Sequence, residues 1–285
     1  HELDDDGRLA PADLVGEMLH LAEHALSKAP AEAAWVGTGV SIPGSVDERD
    51  GRVRFAPNIG WTDVPFGSIL GQAMSDRFDQ APGVVLGNDA DLGALAERTR
   101  GCARDCDDLV FVFGDAGIGG GVIVDGRLLH GSSGFAGEIG HMIINPDGRP
   151  CRCGAVGCWE TEIGRDALPV EASQATGQDQ GPLDAFADWL GRGIVTLVNV
   201  FNPEVIVMGG HLREAYPRIS GRVLRQVQSA LPSAREEVRI ELPGLGSDSV
   251  LIGAAEQAFE ALLARPLRVL EAAPRVGQAR RITKR

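Results

Sequence analysis

No stretch of eighteen apolar residues occurs in this 285-residue sequence, so nothing in it reads as a membrane-spanning helix. The opening residues, HELDDDGRL, lack the features of a secretion signal. The first of them is His1 rather than Met, and the sequence is expected to start inside a longer protein or after a tag. Positive charge is in short supply. Lys and Arg number 27 against 40 Asp and Glu, and the resulting net charge of −13 makes the chain a poor nucleic-acid binder on its own. Cysteines are few and odd in number, five in all, which argues against a disulfide framework and for a reducing, cytoplasmic setting. No solenoid repeat is visible.

What is present reads as α/β. Hydrophobic residues at 44% and charged residues at 24% are ordinary for a globular chain, and the length suits one large or two modest α/β domains. The stretch PADLVGEMLHLAEHALSKA carries Leu14, Met18, Leu21 and Ala25 at helical spacing behind Pro11. AAWVGTGVSIPGSVD predicts a buried strand running into a Pro-Gly turn, and VRFAPNIGWTDVPF, with two prolines, Asn58 and Gly60, reads as a loop. A helix is expected through GSILGQAMSDRF, a strand at GVVLGND and a further helix at ADLGALAERTRG. DLVFVFGDAGIGGGVIVDGRLLHG predicts two β-runs joined by a glycine-rich turn. Later come a long helix (PLDAFADWLGRGIVTLVNVFN), a strand (PEVIVMGG), a helix (GRVLRQVQSAL), a strand (VRIELPGL) and a final helix (SVLIGAAEQAFEALLA), before a basic tail that reads as loose. The apolar residues of the long helix exceed one surface face, so part of it is expected to be buried in the core or in a subunit contact.

The chemistry concentrates in EIGHMIINPDGRPCRCGAVGCWE. His141, Cys151, Cys153 and Cys158 supply one imidazole and three thiols, a donor set suited to tetrahedral zinc. The regular C-x2-C spacing is absent; Gly148, Pro150, Gly154 and Gly157 let the chain turn back on itself instead. The alternative is a set of buried free thiols beside a core histidine. Cys102 and Cys106, at helix spacing, read as structural. Asp89 closes an apolar strand and opens a helix, a place where α/β folds bind ligands and also where a plain N-cap would stand. Glu138 and Glu160 flank the cysteine loop and have a solvated-surface alternative.

The segment FAGEIGHMIINPDGRPCRCGAVGCWE resembles the signature of the ROK family (repressors, open reading frames and sugar kinases). VSIPGSVD, GNDADLGALAE, GIGGGVIVDGRLLHG and NPEVIVMGG resemble its other blocks in the expected order, from about Val36 to Leu263. The resemblance implies an actin-like ATPase (ribonuclease H-like) fold of two α/β domains around a sugar-binding cleft. The smaller domain would be residues 1–88 with 249–285, and the larger 89–248, with a zinc loop at 141–158. It implies zinc on His141, Cys151, Cys153 and Cys158. It also implies sugar contacts from Asn88, Asp89, Glu138, His141 and Glu160, with Asp89 at the general-base position, vestigial in a regulator. The expected ligand is a hexose or hexose derivative and the expected assembly a homodimer or tetramer.

Two departures separate this sequence from the family's kinases. Their N-terminal Asp-Gly-Gly-Thr-like hairpin does not occur before Val36; HELDDDGRL resembles its tail, which implies that the opening strands are missing from this chain. Their second phosphate turn, Gly-Thr-Gly-Ile-Gly-Gly-Gly, is here Asp115-Ala116-Gly117-Ile118-Gly119-Gly120-Gly121. A hydroxyl is lost at Ala116 and a carboxylate is gained, so Gly117, Gly119 and Gly120 form a degenerate phosphate site. FAPNIGWTDVPF also resembles the loop of the regulators. The expectation is therefore the sugar-sensing and oligomerisation region of a ROK-type repressor that reaches DNA through an absent N-terminal winged helix-turn-helix. The alternatives are an N-terminally truncated, glucokinase-like ROK kinase using ATP and Mg, and a zinc-stabilised interaction module without ligand.

Overall fold

The computed structural model describes residues 9–132, 134–169 and 181–279. The chain divides into two compact units, residues 1–88 with 254–285 and residues 89–253.

In the first unit, α1 (Pro11–Lys28) opens on a proline at its first position, which costs no helical hydrogen bond there, and carries Asp13 near its start and Lys28 at its end, in keeping with the helix dipole. β1 (Thr38–Ile42) runs into the turn at Pro43 and Gly44 and then β2 (Ser45–Asp47). The segment expected to be a loop is instead a hairpin, β3 (Arg52–Ala56) and β4 (Trp61–Val64), which joins β2 in a three-stranded antiparallel sheet. The prolines misled: Pro57 and Pro65 follow the strands rather than interrupt them, so neither removes a ladder donor. Trp61 is buried and its indole N–H donates to the Leu9 carbonyl at 2.5 Å. α2 (Phe66–Arg77) buries Phe66, Leu70 and Met74 at i, i+4 and i+8 against this core. β5 (Val84–Asn88) pairs in parallel with β1, Thr38 opposite Val84 and Ile42 opposite Asn88.

The second unit is built on a five-stranded sheet. α3 (Asp89–Thr99) precedes β6 (Leu109–Gly114), β7 (Ile118–Val124) and β8 (Arg127–Leu128). After the cysteine loop come α4 (Trp159–Ile163), α5 (Gly181–Phe201), β9 (Val205–Gly210), α6 (His211–Val227), α7 (Pro232–Glu237) and β10 (Arg239–Glu241). The sheet order is β10-β9-β6-β7-β8, with β9 parallel to β6 and β10, and β7 antiparallel to β6 and β8. Both faces of the central strands are covered, which is why LVFVF is a continuous apolar run. By strand alternation Leu109 and Phe111 join the core cluster of Ala90 and Ala94 on α3, and Val110 and Val112 join that of α5 and α6. The apolar excess of α5 goes largely to this core, where Phe186, Leu190, Ile194, Leu197 and Val198 are buried; Val200 remains exposed. The helix expected at GRVLRQVQSAL starts earlier, at His211, and runs through Pro217, whose presence hid its first turns from the reading of the sequence.

α8 (Ser249–Ala264) begins in the second unit and ends in the first. Its start is tied down by the fully buried carboxylate of Glu97, which accepts from the Ser249 hydroxyl at 2.7 Å and from the backbone N–H groups of Cys102, Gly244 and Leu245. Four donors satisfy a charge that burial would otherwise make very costly. α9 (Pro266–Ala272) and α10 (Val276–Ala279) complete the first unit. The start of the basic tail is ordered rather than loose: Val276 and Gly277 donate backbone hydrogen bonds to Ala33 and Ala31. Residues 280–285 of that tail and HELDDDGR lie outside the described residues.

Candidate metal and ligand site

The cysteine loop is anchored at both ends. His141 closes a 3-10 turn (Ile139–His141), and Cys158 leads into α4 through Trp159, which is fully buried. The Trp159 backbone N–H donates to Met142 and its indole N–H to the Trp189 carbonyl, both near 2.9 Å. α5 makes room for the indole at Gly193, where any added Cβ would lie 2.0 Å from the ring. Between the anchors the chain reverses at Gly154 and Gly157, both with φ in the left-handed region; a Cβ at Gly157 would also meet the Asn145 carbonyl oxygen at 1.7 Å.

This fold brings together one ligand atom each from His141, Cys151, Cys153 and Cys158, all within 4.8 Å of one another. The Cys153–Cys158 Sγ separation is 3.6 Å and that of Cys151 Sγ from His141 Nδ1 is 3.7 Å. A tetrahedron with zinc–sulfur bonds of about 2.3 Å has edges of about 3.8 Å, which the 3.6 and 3.7 Å separations match, so the donor set suits that ion. Burial pushes the Cys151 and Cys158 thiols up, the opposite of what a divalent cation among them would do.

The carboxylates gather around the same histidine. Glu160 Oε1 lies 3.8 Å from His141 Nδ1 and accepts from Cys151 Sγ at 2.9 Å; Glu138 Oε2 lies 4.0 Å from His141 Nε2. The two faces of the imidazole are thus differentiated, Nδ1 toward the thiols and Nε2 toward Glu138. Asp89, the first residue of α3, accepts from the N–H of its neighbour Ala90 at 2.8 Å, not from the second or third N–H of the helix as a capping side chain would. Burial, with the carboxylates of Asp115 and Glu138 acting in the same direction, nonetheless raises its pKa to about 7. Asn88 belongs to the first unit, where its amide donates to the Gly44 carbonyl at 2.9 Å.

The glycine turn behaves differently. Only Asp115, Ala116 and Gly117 form the turn itself; Gly119, Gly120 and Gly121 lie on β7, opposite Phe113, Val112 and Phe111. They have packing reasons to be glycine. A Cβ at Gly121 would meet the Ala90 carbonyl at 2.2 Å, and one at Gly120 would meet Ile139 at 2.5 Å. Asp115 does not stand alone: it forms an ion pair with Arg165 at 3.2 Å, both side chains exposed, so the charge expected to oppose a triphosphate is partly offset.

Three residues that matter here were not singled out from the sequence. Trp159 and Gly193 fix the exit of the cysteine loop. His211, buried at the start of α6, makes a 3.0 Å hydrogen bond from Nε2 to the Ile163 carbonyl and so ties the end of α4 to the ends of the sheet strands; burial keeps it below the usual histidine range. The CWE tripeptide could have revealed Trp159, because a large aromatic beside a ligand cysteine must go into a core or be exposed.

A model of the ROK family matches residues 2–260. The xylose repressor of Bacillus subtilis is 29% identical over 265 residues, 84% of this chain and 66% of the repressor, so the chain spans just under two thirds of that relative. The glucokinase of Thermotoga maritima is 30% identical over 257 residues, 79% of this chain and 78% of the enzyme. Among solved structures, the ROK family glucokinase of Streptomyces griseus in complex with glucose and AMPPNP aligns with a TM-score of 0.71 at 26% identity, covering 90% of this chain and 93% of that one. The actin-like ATPase fold of these neighbours is the fold of this chain.

Proposed function

This chain belongs to the ROK family, and on that premise we propose that it is the sugar-sensing and oligomerisation region of a transcriptional repressor. The observation that carries the reading is the turn between β6 and β7. Where the family's kinases carry a hydroxyl the residue is Ala116, and Asp115 is engaged with Arg165. The glycines that follow serve the packing of α3 and of the Ile139–His141 turn. The sugar-contact set is Asp89, Glu138, His141 and Glu160, with Asn88 directly before Asp89 in the chain. Carboxylates accept sugar hydroxyls strongly, and His141 can present Nε2 to a hydroxyl while Nδ1 faces the thiols. Zinc on His141, Cys151, Cys153 and Cys158 is structural in this reading and holds the loop between Glu138 and Glu160 in shape. The ligand is a hexose or hexose derivative; the xylose and glucose named for its relatives set the first panel to try. The protein acts as a homodimer or dimer of dimers in the cytoplasm and reaches DNA through a separate domain. Sugar changes operator affinity only through its differential affinity for the two conformational states.

A kinase is the second reading, and Asp89 is the observation that favours it. A carboxylate with a pKa of about 7 is poised as a general base near neutral pH. Its hexose would be phosphorylated from ATP and Mg. The deciding experiment uses the full-length gene product: operator affinity with and without each sugar, beside phosphorylation of the same sugar by ATP. Sugar-dependent operator release without turnover supports the repressor; rapid phosphorylation without an operator response overturns it.

A further inference from the structure

A cavity of about 520 Å³ lies within the first unit, and its lining includes none of the residues of the metal and ligand site. Its size is that of a small-molecule pocket. Trp35, Val36, Pro82 and Val269 give it apolar walls. Its charged groups are Arg265 and Arg268, and among the described residues no Asp or Glu lines it. We propose that this cavity binds a small amphiphilic carboxylate, an aryl or branched alkyl acid, as a second ligand chemically unlike a sugar.

In a chain of net charge −13, Arg49, Arg54, Arg165 and Arg222 each pair with a carboxylate. Among the described residues, neither Arg265 nor Arg268 has an ion-pair or side-chain hydrogen-bond partner. They stand three apart, at the residue before α9 and in its first turn, so both can address one anion. A guanidinium fork matches a carboxylate in bidentate fashion.

The walls then select the rest of the ligand. Inorganic phosphate would satisfy the arginines and leave the apolar surface unused. A sugar phosphate would press most of its hydroxyls against Val36, Pro82 and Val269, with the Gln80 amide the one uncharged polar side chain among the described lining residues to pair them. An aryl or branched alkyl body uses that surface and asks for no donors. Trp35 is set in advance: its indole N–H donates to the Gly37 carbonyl at 3.0 Å, and its ring packs edge-on to Phe78 at 5.4 Å between centroids. A fixed aromatic wall lowers the entropic cost of binding. The cavity also touches Gly83, the residue before β5, and β5 ends at Asn88, so an occupant would bear on the strand that carries one of the sugar-contact residues.

The test uses this chain with phenylacetate as probe, read by calorimetry and by tryptophan fluorescence. Phenylacetamide and inorganic phosphate are the controls. Phenylacetate is expected to bind one per chain, at least tenfold more tightly than either control. Arg265→Gln with Arg268→Gln is expected to weaken it at least tenfold with no change in melting temperature, since both side chains are exposed. Equal binding of the amide would show an apolar hole without anion selectivity. Equal binding of phosphate would show a basic patch without a pocket. Either result, or no binding of phenylacetate, overturns the proposal. The amide comparison decides the matter on the unmodified chain should the double variant fold poorly.

Discussion

Two loops of the second unit, the cysteine loop at 141–160 and the glycine turn at 115–121, stand in opposite relations to the core beneath them. The cysteine loop is wedded to it: Trp159, between Cys158 and Glu160, is fully buried, and Glu138 and Glu160 flank one imidazole at 4.0 and 3.8 Å. Side chains able to recognise hydroxyls therefore sit on a rigid base. In the glycine turn it is the strand, not the tip, that the core holds. Gly120 and Gly121 are fixed by close packing, while the tip offers Ala116 and an exposed Asp115–Arg165 ion pair. The polar side chains gather where packing holds the loop, and the tip of the glycine turn has no such support beneath it.

The largest effect should come from breaking the cysteine loop. Cys153→Ser removes one of four donors that lie within 4.8 Å, and a metal site of this kind contributes folding free energy directly. Wild-type protein is expected to carry about one zinc per chain by elemental analysis; the variant should lose it and melt at least 10 °C lower. A chelator should reproduce that loss in the wild type. Unchanged melting of metal-free protein would remove zinc from the account and leave the loop to its hydrogen bonds and Trp159.

Next in size is the loss of a proposed sugar contact. Glu138→Ala in the full-length protein deletes a charged acceptor, worth about 1.5–3 kcal/mol, or roughly 10- to 150-fold in sugar affinity. Operator affinity without sugar should stay as it was, measured at one salt concentration because DNA binding depends steeply on salt. If the variant still responds to sugar at wild-type concentrations, the recognition assigned to this loop lies elsewhere.

Much of this was legible from the sequence, and for a physical reason. Helix and strand periods, the Gly-rich reversals and a dense His/Cys set are local signals, so the elements flanking the cysteine loop and the donor set itself could be read without coordinates. What escaped depended on partners distant in the chain. Pro57 and Pro65 look like loop residues until the strands they follow find each other, and Pro217 ends a helical pattern on paper although α6 runs through it. The pairing of Asp115 was out of view because Arg165, its partner, is fifty residues away. The buried hub of Glu97 and the role of Gly193 under Trp159 rest on contacts that no local window contains.

Asp89 offers a smaller effect with a definite sign in pH. Its folded pKa of about 7 lies above the ordinary value near 4, so the folded state binds the proton more tightly. Stability from this group is fully present below pH 4 and is lost as pH rises through 7. Asp89→Asn keeps the shape without the charge. It should therefore raise stability at pH 8 by on the order of 2 kcal/mol and leave it nearly unchanged at pH 4, by thermal or urea melting. A gain of equal size at both pH values would show that burial of the charge is not the cause. The same variant should weaken sugar binding, the usual conflict between a functional charge and the fold that buries it.

The smallest effect tests the glycine turn itself. Restoring the kinase-like tip with Asp115→Gly and Ala116→Thr returns a hydroxyl and removes a carboxylate. The carboxylate is exposed and already paired with Arg165, so its repulsion of a phosphate is screened and worth no more than about 1 kcal/mol. Its removal also frees the Arg165 guanidinium, which adds a little attraction. The hydroxyl contributes one neutral hydrogen bond of similar size. Together they should raise affinity for a non-hydrolysable ATP analogue less than about tenfold, by calorimetry on the full-length protein, with no rapid phosphorylation of sugar. Rapid turnover in the double variant would mean that the two substitutions at the tip were the whole barrier, and that the rest of the phosphate machinery had been kept intact alongside the cysteine loop.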